Sequence, residues 1–391
     1  MLTSILYYNC RNIKYPLMGN FVFLPNSLGN SIKKVFTIIG SRHGSNYVNR
    51  SKHIDLSVES TYLKLTLPAV MDEILEEQLV YHKHYQELKE RYRNLLNHTL
   101  NLEDLYLSVP LFLIRSYREF EKPALQTDEN LKRAAILAWS LKLAEASMIV
   151  DDDVIDKSKV RYLRPTWYKK PDVGVEGAIC DSSFLLSGGL FLLLNHFRKH
   201  LQFSNILKEY YVNYSTCMLA LCIDSKKYKV QELKLDFAKA YPITVINVIC
   251  AMYLSNIVDP VIHATAKEFL KDLAKYVQIE DDVKCVFNTH SEKDCTDVAQ
   301  GKSSWLAIQA YERGSREQRF VLENHYGKSD NESQIRIYQL YKDLRLDDHF
   351  EKFREDFYES MIEKIQTFPQ QLPKQLFFDL LDYGLLSRIQ S

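Results

Sequence analysis

Apolar residues recur at intervals of three and four along most of the chain, the spacing of one helix face. The clearest run is 134–150 (AAILAWSLKLAEASMIV). Five of its seventeen residues are Ala and none is Gly or Pro, so a helix is predicted over 130–156. The same spacing predicts helices over 68–105, 107–120, 207–224, 233–255 and 264–287, and around Trp305. Residues 182–197 (SSFLLSGGLFLLLNHF) are so apolar that burial on every side is expected. Residues 157–174 read as a basic loop, and 335–390 as helices broken near Pro369 and Pro373. Period-2 alternation is scarce, and no βαβ rhythm or internal repeat is visible. With 12 Gly and 11 Pro in 391 residues there are few breaks, and the chain reads as all-α.

Charge changes this picture in one place. The whole chain balances 50 basic against 50 acidic residues, which gives no electrostatic footprint for nucleic acid. Residues 1–54, however, carry seven Lys or Arg and no Asp or Glu. An acid-free, Ser/Asn-rich leader over about 1–60 reads equally as a mitochondrial transit peptide or as a disordered extension, so cytoplasm and mitochondrion both stay open. The folded domain is expected over 61–391. No apolar run suggests a transmembrane segment. The seven Cys are scattered without a CxxC pair and read as reduced core thiols.

The candidate chemistry sits at the end of the 130–156 helix. Asp152 and Asp156 are four apart and share a face, with Asp153 beside them. Three carboxylates on one patch repel unless a cation lies among them, and hard oxygen ligands suit Mg²⁺. A second acidic pair, Asp281 and Asp282, follows another apolar segment about 130 residues later. Two facing acidic sites with basic residues nearby, Arg161 and Lys293, make a diphosphate held between metal ions and cations the natural ligand.

This pattern resembles the trans-isoprenyl diphosphate synthases, the farnesyl diphosphate synthase family. The matching residues are DDVID (152–156), Arg161, PTWY (165–168) with KKP (169–171), QIEDD (278–282), Lys293, TD (296–297) and GKSSW (301–305). They span roughly 65–391. The resemblance implies an isoprenoid-synthase bundle of ten or more helices around a central apolar cavity, usually paired as a homodimer. It also implies about three Mg²⁺ per site, with Mn²⁺ able to substitute. The metal ligands would be Asp152, Asp153, Asp156, Asp281 and Asp282. A prenyl diphosphate would be gripped by Arg161, Lys293, Lys302 and Lys239, the last one position along from the family's lysine. Trp167 and Trp305 read as packing anchors.

The departures concern the family's second substrate, isopentenyl diphosphate. Its Gly-Gly-Lys segment is replaced by Val109-Pro110-Leu111-Phe112-Leu113-Ile114-Arg115-Ser116. Glu145 stands for a Gln, Tyr162 for the second of two Arg, and the chain ends SRIQS. Each change removes positive charge or adds negative charge at one anion's contacts, worth ~1.5–3 kcal/mol apiece. Cys285 replaces the last Asp of the second motif. Met148 and Ser147 occupy the pocket-floor positions where the family has aromatic residues, so a longer, C15 chain is expected to fit. The resulting expectation is a class I terpene synthase that ionises farnesyl diphosphate to a sesquiterpene, as in insect enzymes derived from this family. The alternatives are a prenyltransferase making farnesyl or geranylgeranyl diphosphate, and a non-catalytic subunit regulating such an enzyme.

Overall fold

The computed structural model describes residues 54–79, 86–224, 229–233, 240–287 and 295–386. Lys239, Lys293, the leader up to residue 53 and the terminal SRIQS lie outside the described residues. Fourteen α-helices are described, with one two-stranded hairpin. The first, α1 (Ser57–Gln78), begins before residue 61 and carries Pro68 in its interior. The expected start at Pro68 is corrected: the helix begins earlier and holds this proline in its interior, although proline is best tolerated in a first turn. Then follow α2 (Gln86–Leu100), α3 (Ser108–Phe120) and α4 (Asp128–Ile155).

The chain is built around α4. Thr127 caps it by accepting from the Asn130 N–H (3.2 Å), and Asp128 and Glu129 complement the positive end of its dipole. Its middle is buried on all faces, as an apolar run without a polar side requires. It packs most extensively on α5 (Gly174–Phe197), and also meets α1, α2, α3, α6 (Phe203–Asp224) and α7 (Ala240–Leu254). The closest approach is at Gly189 of α5. The Ser140 hydroxyl donates to the Gly189 carbonyl (2.7 Å), and a β-carbon there would lie 2.6 Å from the Ser140 carbonyl oxygen and 2.5 Å from the Tyr210 hydroxyl.

The expectation that α5 is wholly buried is corrected. Within the 182–197 run Leu190 and Leu194 are exposed, as is Ile179 before it. A mostly aliphatic helix has no polar stripe to mark its outward side, so composition overstates its burial. By length and composition alone α5 could also cross a membrane, the only such helix among the described residues; its packing on α4 places it in the bundle.

The second acidic pair lies on α8 (Pro260–Phe287), which packs against α7. After it come α9 (Asp297–Gln300), α10 (Trp305–Arg313), α11 (Arg316–His325), α12 (Asn331–Asp343), α13 (Leu346–Gln366) and α14 (Lys374–Leu386). The break between α13 and α14 holds Pro369 and Pro373, as the sequence predicts.

Gly189→Ala should lower unfolding stability by about 1–3 kcal/mol, because neither the Ser140 backbone nor the buried Tyr210 can retreat freely. Chemical denaturation of the two proteins measures this; an unchanged midpoint would contradict the close packing.

Candidate active site

The end of α4 presents Asp152 and Asp156 along one face, with Asp153 turned inward and nearly buried. The chain then reverses through a hairpin, β1 (Val160–Arg161) against β2 (Arg164–Pro165). Tyr162 and Leu163 make the turn, both with positive φ (54° and 58°). Two-residue hairpins twist correctly only with such backbone, normally supplied by Asn or Gly. This one uses a tyrosine instead. The Tyr162 ring rests on Tyr106, 4.4 Å between centroids, which helps to hold the turn.

The hairpin aims Arg161 back at the motif. Its Nη2 donates to Asp152 Oδ2 (2.7 Å) and Asp153 Oδ1 (2.7 Å), and its Nε to Asp153 Oδ1 (2.9 Å). Burial opposes the guanidinium charge, but the two carboxylates override it and strengthen its hold on the proton. Burial pushes the Asp153 carboxyl up to about 6 despite Arg161.

The other side of the site is a strap, residues 295–305. Lys302 Nζ donates to Asp156 Oδ2 at 2.5 Å and lies 3.6 Å from both Asp224 at the end of α6 and Asp297 of α9. Gln300 Nε2 donates to the Asp156 carbonyl (2.6 Å). Gly301 makes this turn possible with φ +70°, and a β-carbon added there would lie 3.0 Å from the Gly327 α-carbon, so a side chain would be strained. Asp282 faces the far end of the strap. Its Oδ2 accepts from the Trp305 N–H (2.8 Å), and its Oδ1 from Gln278 (3.2 Å). It thus braces the start of α10. Burial, with Asp297 and Asp281 nearby, pushes its carboxyl well up. Trp305 and Trp167 are both buried anchors, the latter donating from its indole to Asp181 (2.7 Å).

The donor set is what a hard divalent cation needs: carboxylate oxygens from α4, α6, α8 and α9, without sulfur or imidazole. Among the described residues no three such side chains already converge on one point. Arg161 and Lys302 pair with the first-motif carboxylates. Of the predicted residues, the structure gathers Asp152, Asp153, Asp156 and Arg161 directly, and brings Lys302 to Asp156. It connects Asp282 to them through the strap.

Several expectations are corrected. Glu145 does not stand as an uncompensated negative charge: Lys142, one helical turn back and itself buried, pairs with it at 3.0 Å. Arg115 is not available as a displaced phosphate ligand, being held by Asp379 (2.9 Å) and Glu119 (3.1 Å). Ser147 does not leave an open floor. It is fully buried, 3.1 Å from the Ser182 hydroxyl and hydrogen-bonded to Tyr214 of α6. Met148 beside it is also buried. Asp151, just before the motif, is a half-buried carboxyl, raised by burial and hydrogen-bonded to Ser182. Cys285 and Cys295 are joined as a disulfide rather than reduced.

Two features escaped the sequence reading. Asp224, which belongs to neither acidic motif, shares Lys302. Arg164 is the cross-strand partner of Arg161, and directly opposed residues of an antiparallel pair point to one face. Both line a small cleft along α4, together with Lys142, Tyr162, Asp153 and His98. Burial, then Lys170 and Arg164, pushes the His98 imidazole down to about 4, so it is neutral at pH 7.

Replacing Lys302 with Met should cost about 3 kcal/mol of stability in EDTA, because Asp156, Asp224 and Asp297 lose their shared cation. Added Mg²⁺ should recover more stability in this variant than in the parent. Thermal unfolding with and without Mg²⁺ checks this; equal gains in the two proteins would contradict it.

The family model for polyprenyl synthetase matches residues 109–344. The chain is 31% identical to a farnesyl pyrophosphate synthase of Murgantia histrionica over 294 residues, covering 69% of each chain. It is 31% identical to that of Nezara viridula, covering 69% of this chain and 70% of the relative. To that of Bos taurus it is 29% identical, covering 69% and 80%. A solved T. Brucei farnesyl diphosphate synthase, complexed with bisphosphonate BPH-722, superposes with a TM-score of 0.76 at 20% identity, over 84% of this chain and 99% of that one. The isoprenoid-synthase fold is thereby established, and the chain belongs to the polyprenyl synthetase family.

Proposed function

We propose that this protein is a Mg²⁺-dependent prenyltransferase, joining an allylic diphosphate to isopentenyl diphosphate. The carrying observation is Arg164. The sequence lacks the family's consecutive arginine, but the hairpin sets Arg164 beside Arg161 over the same cleft. With Glu145 neutralised by Lys142, two of the four objections to a second diphosphate lose force. The relatives, named as farnesyl pyrophosphate synthases, support the same reading over a sesquiterpene-forming one.

In this reading Asp152, Asp153, Asp156 and Asp281 hold the metal, with Asp282 bracing the strap that brings in Asp297. Bound Mg²⁺ supplies charge neutralisation and Lewis acidity at the diphosphate. With a metal held by those carboxylates, Arg161 and Lys302 would be positioned to give charge-assisted hydrogen bonds to phosphate oxygens. Lys239 and Lys293, outside the described residues, would add to the grip on the diphosphate by the family resemblance alone. The buried aliphatic helices exclude water from the allylic cation. Ser147 packs against Ser182 and Tyr214, and the product in this reading is a C15 or C20 diphosphate.

A second reading, ionisation of farnesyl diphosphate without a partner to give a sesquiterpene, rests on α3. Where the family has a Gly-rich phosphate loop, this chain is continuous helix over 108–120, and its one arginine at the phosphate-loop end is spent on Asp379 and Glu119.

We further propose a homodimer through α5 and α6. Ile179, Leu190 and Leu194 on α5, and Tyr211, Leu219 and Ile223 on α6, are exposed on consecutive helices. So much apolar surface on adjacent elements fits burial by a second copy. The leader is consistent with either a cytoplasmic or a mitochondrial enzyme.

Purified protein with Mg²⁺ should convert geranyl and isopentenyl diphosphates to a longer diphosphate, and Asp152→Ala should abolish this by at least about a thousandfold, the order lost with a metal or its electrostatic stabilisation. A volatile hydrocarbon or alcohol from farnesyl diphosphate alone, with no elongation, would replace the first reading by the second. Sedimentation should show a dimer that Leu219→Asp converts to a monomer; a parent already monomeric would remove the dimer.

A further inference from the structure

The strap that carries Asp297 and Lys302 is covalently tied to the helix carrying Asp281 and Asp282. Cys285 lies on α8, one turn after Asp281 and so on its face; Cys295 lies two residues before Asp297. The two form a disulfide with 5.1 Å between their α-carbons. Cys285 is buried. Within ten residues of Cys295 the strap then makes the Gln300 and Lys302 contacts to Asp156 on α4, and the Trp305 contact to Asp282 on α8. One short segment thus bridges the two acidic helices. Its C-terminal end is held by a hydrogen bond and its N-terminal end by a covalent one.

We propose that the Cys285–Cys295 bond is a redox-operated clasp that sets the affinity of the acidic site for a metal-bound diphosphate. When closed, it restricts the strap to conformations that keep Asp297 and Lys302 facing Asp156. When open, the strap gains conformational freedom at its N-terminal end, and ordering it must be met from the binding of ligand. The chemistry balances with a small-molecule disulfide such as oxidised glutathione. Two thiols give up two electrons and two protons, one S–S bond forms in the protein, and the S–S bond of the oxidant becomes two thiols. The position is telling: Cys285 stands where the second acidic motif ends, so a ligand position has been exchanged for a covalent tie to the strap.

This inference rests on the diphosphate reading of the site, so the test includes a measurement that does not. The full-length protein is prepared with oxidised glutathione or with dithiothreitol, beside Cys285→Ser, Cys295→Ser and, as a control, Cys180→Ser at an exposed position on α5. Peptide mapping without reductant should find the Cys285–Cys295 cross-link in the oxidised parent and in Cys180→Ser. Hydrogen exchange of amides 296–305 should be slower in the oxidised protein than in the reduced one. Calorimetry should show inorganic pyrophosphate with Mg²⁺ binding on the order of tenfold more tightly to the oxidised form. The Cys285→Ser and Cys295→Ser proteins should match the reduced parent and ignore dithiothreitol, whereas Cys180→Ser keeps the response. Absence of the cross-link, or equal exchange in the two redox states, overturns the clasp. If exchange differs but pyrophosphate binds to neither form, the clasp stands as a structural device, and it is the diphosphate reading that fails, taking with it the clasp's control of affinity.

Discussion

Like charges gathered in a protein interior repel strongly: two unit charges 4 Å apart interact by roughly 4 kcal/mol at the effective dielectric of a protein surface, and by more where water is excluded. This chain brings Asp152, Asp153, Asp156, Asp224, Asp282 and Asp297 into one connected region. The arrangement is tolerable because Arg161 and Lys302 stand among them, at 2.7 and 2.5 Å from the first motif. These two cations determine much of the local architecture. Arg161 needs the hairpin to reach back, and the hairpin accepts two unfavourable backbone conformations to deliver it. Lys302 needs the tight turn at Gly301 and the strap that ends on Asp282.

The same arrangement makes the site convertible. A carboxylate cluster balanced by fixed metal would be rigid, whereas one balanced by long side chains can exchange partners. A guanidinium or ammonium released from a carboxylate is immediately a donor for phosphate oxygen, so the groups that hold the acids apart are the ones an anionic ligand needs. In the proposed reading, a diphosphate arriving with metal ions would bring new cations for the carboxylates as it takes up Arg161 and Lys302, so that no charge would be left uncompensated, the costly outcome in a buried site.

Much of this was readable from spacing. The α4 pattern fixed the helix within two residues at either end, and helical geometry placed the three acids on one patch. Asp282 was recognised as an acid of the site, but not as the acceptor that starts α10, which requires knowing where Trp305 comes to rest. The errors share a cause: a residue was judged without its neighbour. Glu145 was read as a bare negative charge, although Lys142 lies three positions before it, a spacing at which helical side chains meet. Tyr162 was read as a lost arginine, although cross-strand geometry could return Arg164 to the same face. No Asn or Gly signals that turn, so sequence alone gave no reason to pair 161 with 164. The disulfide is of a third kind. Cys285 and Cys295 sit ten residues apart with no motif around them, and only the path of the strap brings them together.

These corrections bear on how a two-substrate site is judged from sequence. Charge lost at one position was counted as affinity lost, but affinity depends on charge in space. The hairpin moves a guanidinium two residues along the chain and leaves it over the same cleft, and a lysine–glutamate pair converts an apparent repulsion into a neutral block. What geometry does not restore is the glycine-rich segment before α4. A loop of glycines can wrap a phosphate with its own N–H groups, whereas the helix of α3 spends its N–H groups internally. In the proposed reading, elongation therefore requires side chains from the hairpin to do what backbone amides do in a phosphate loop.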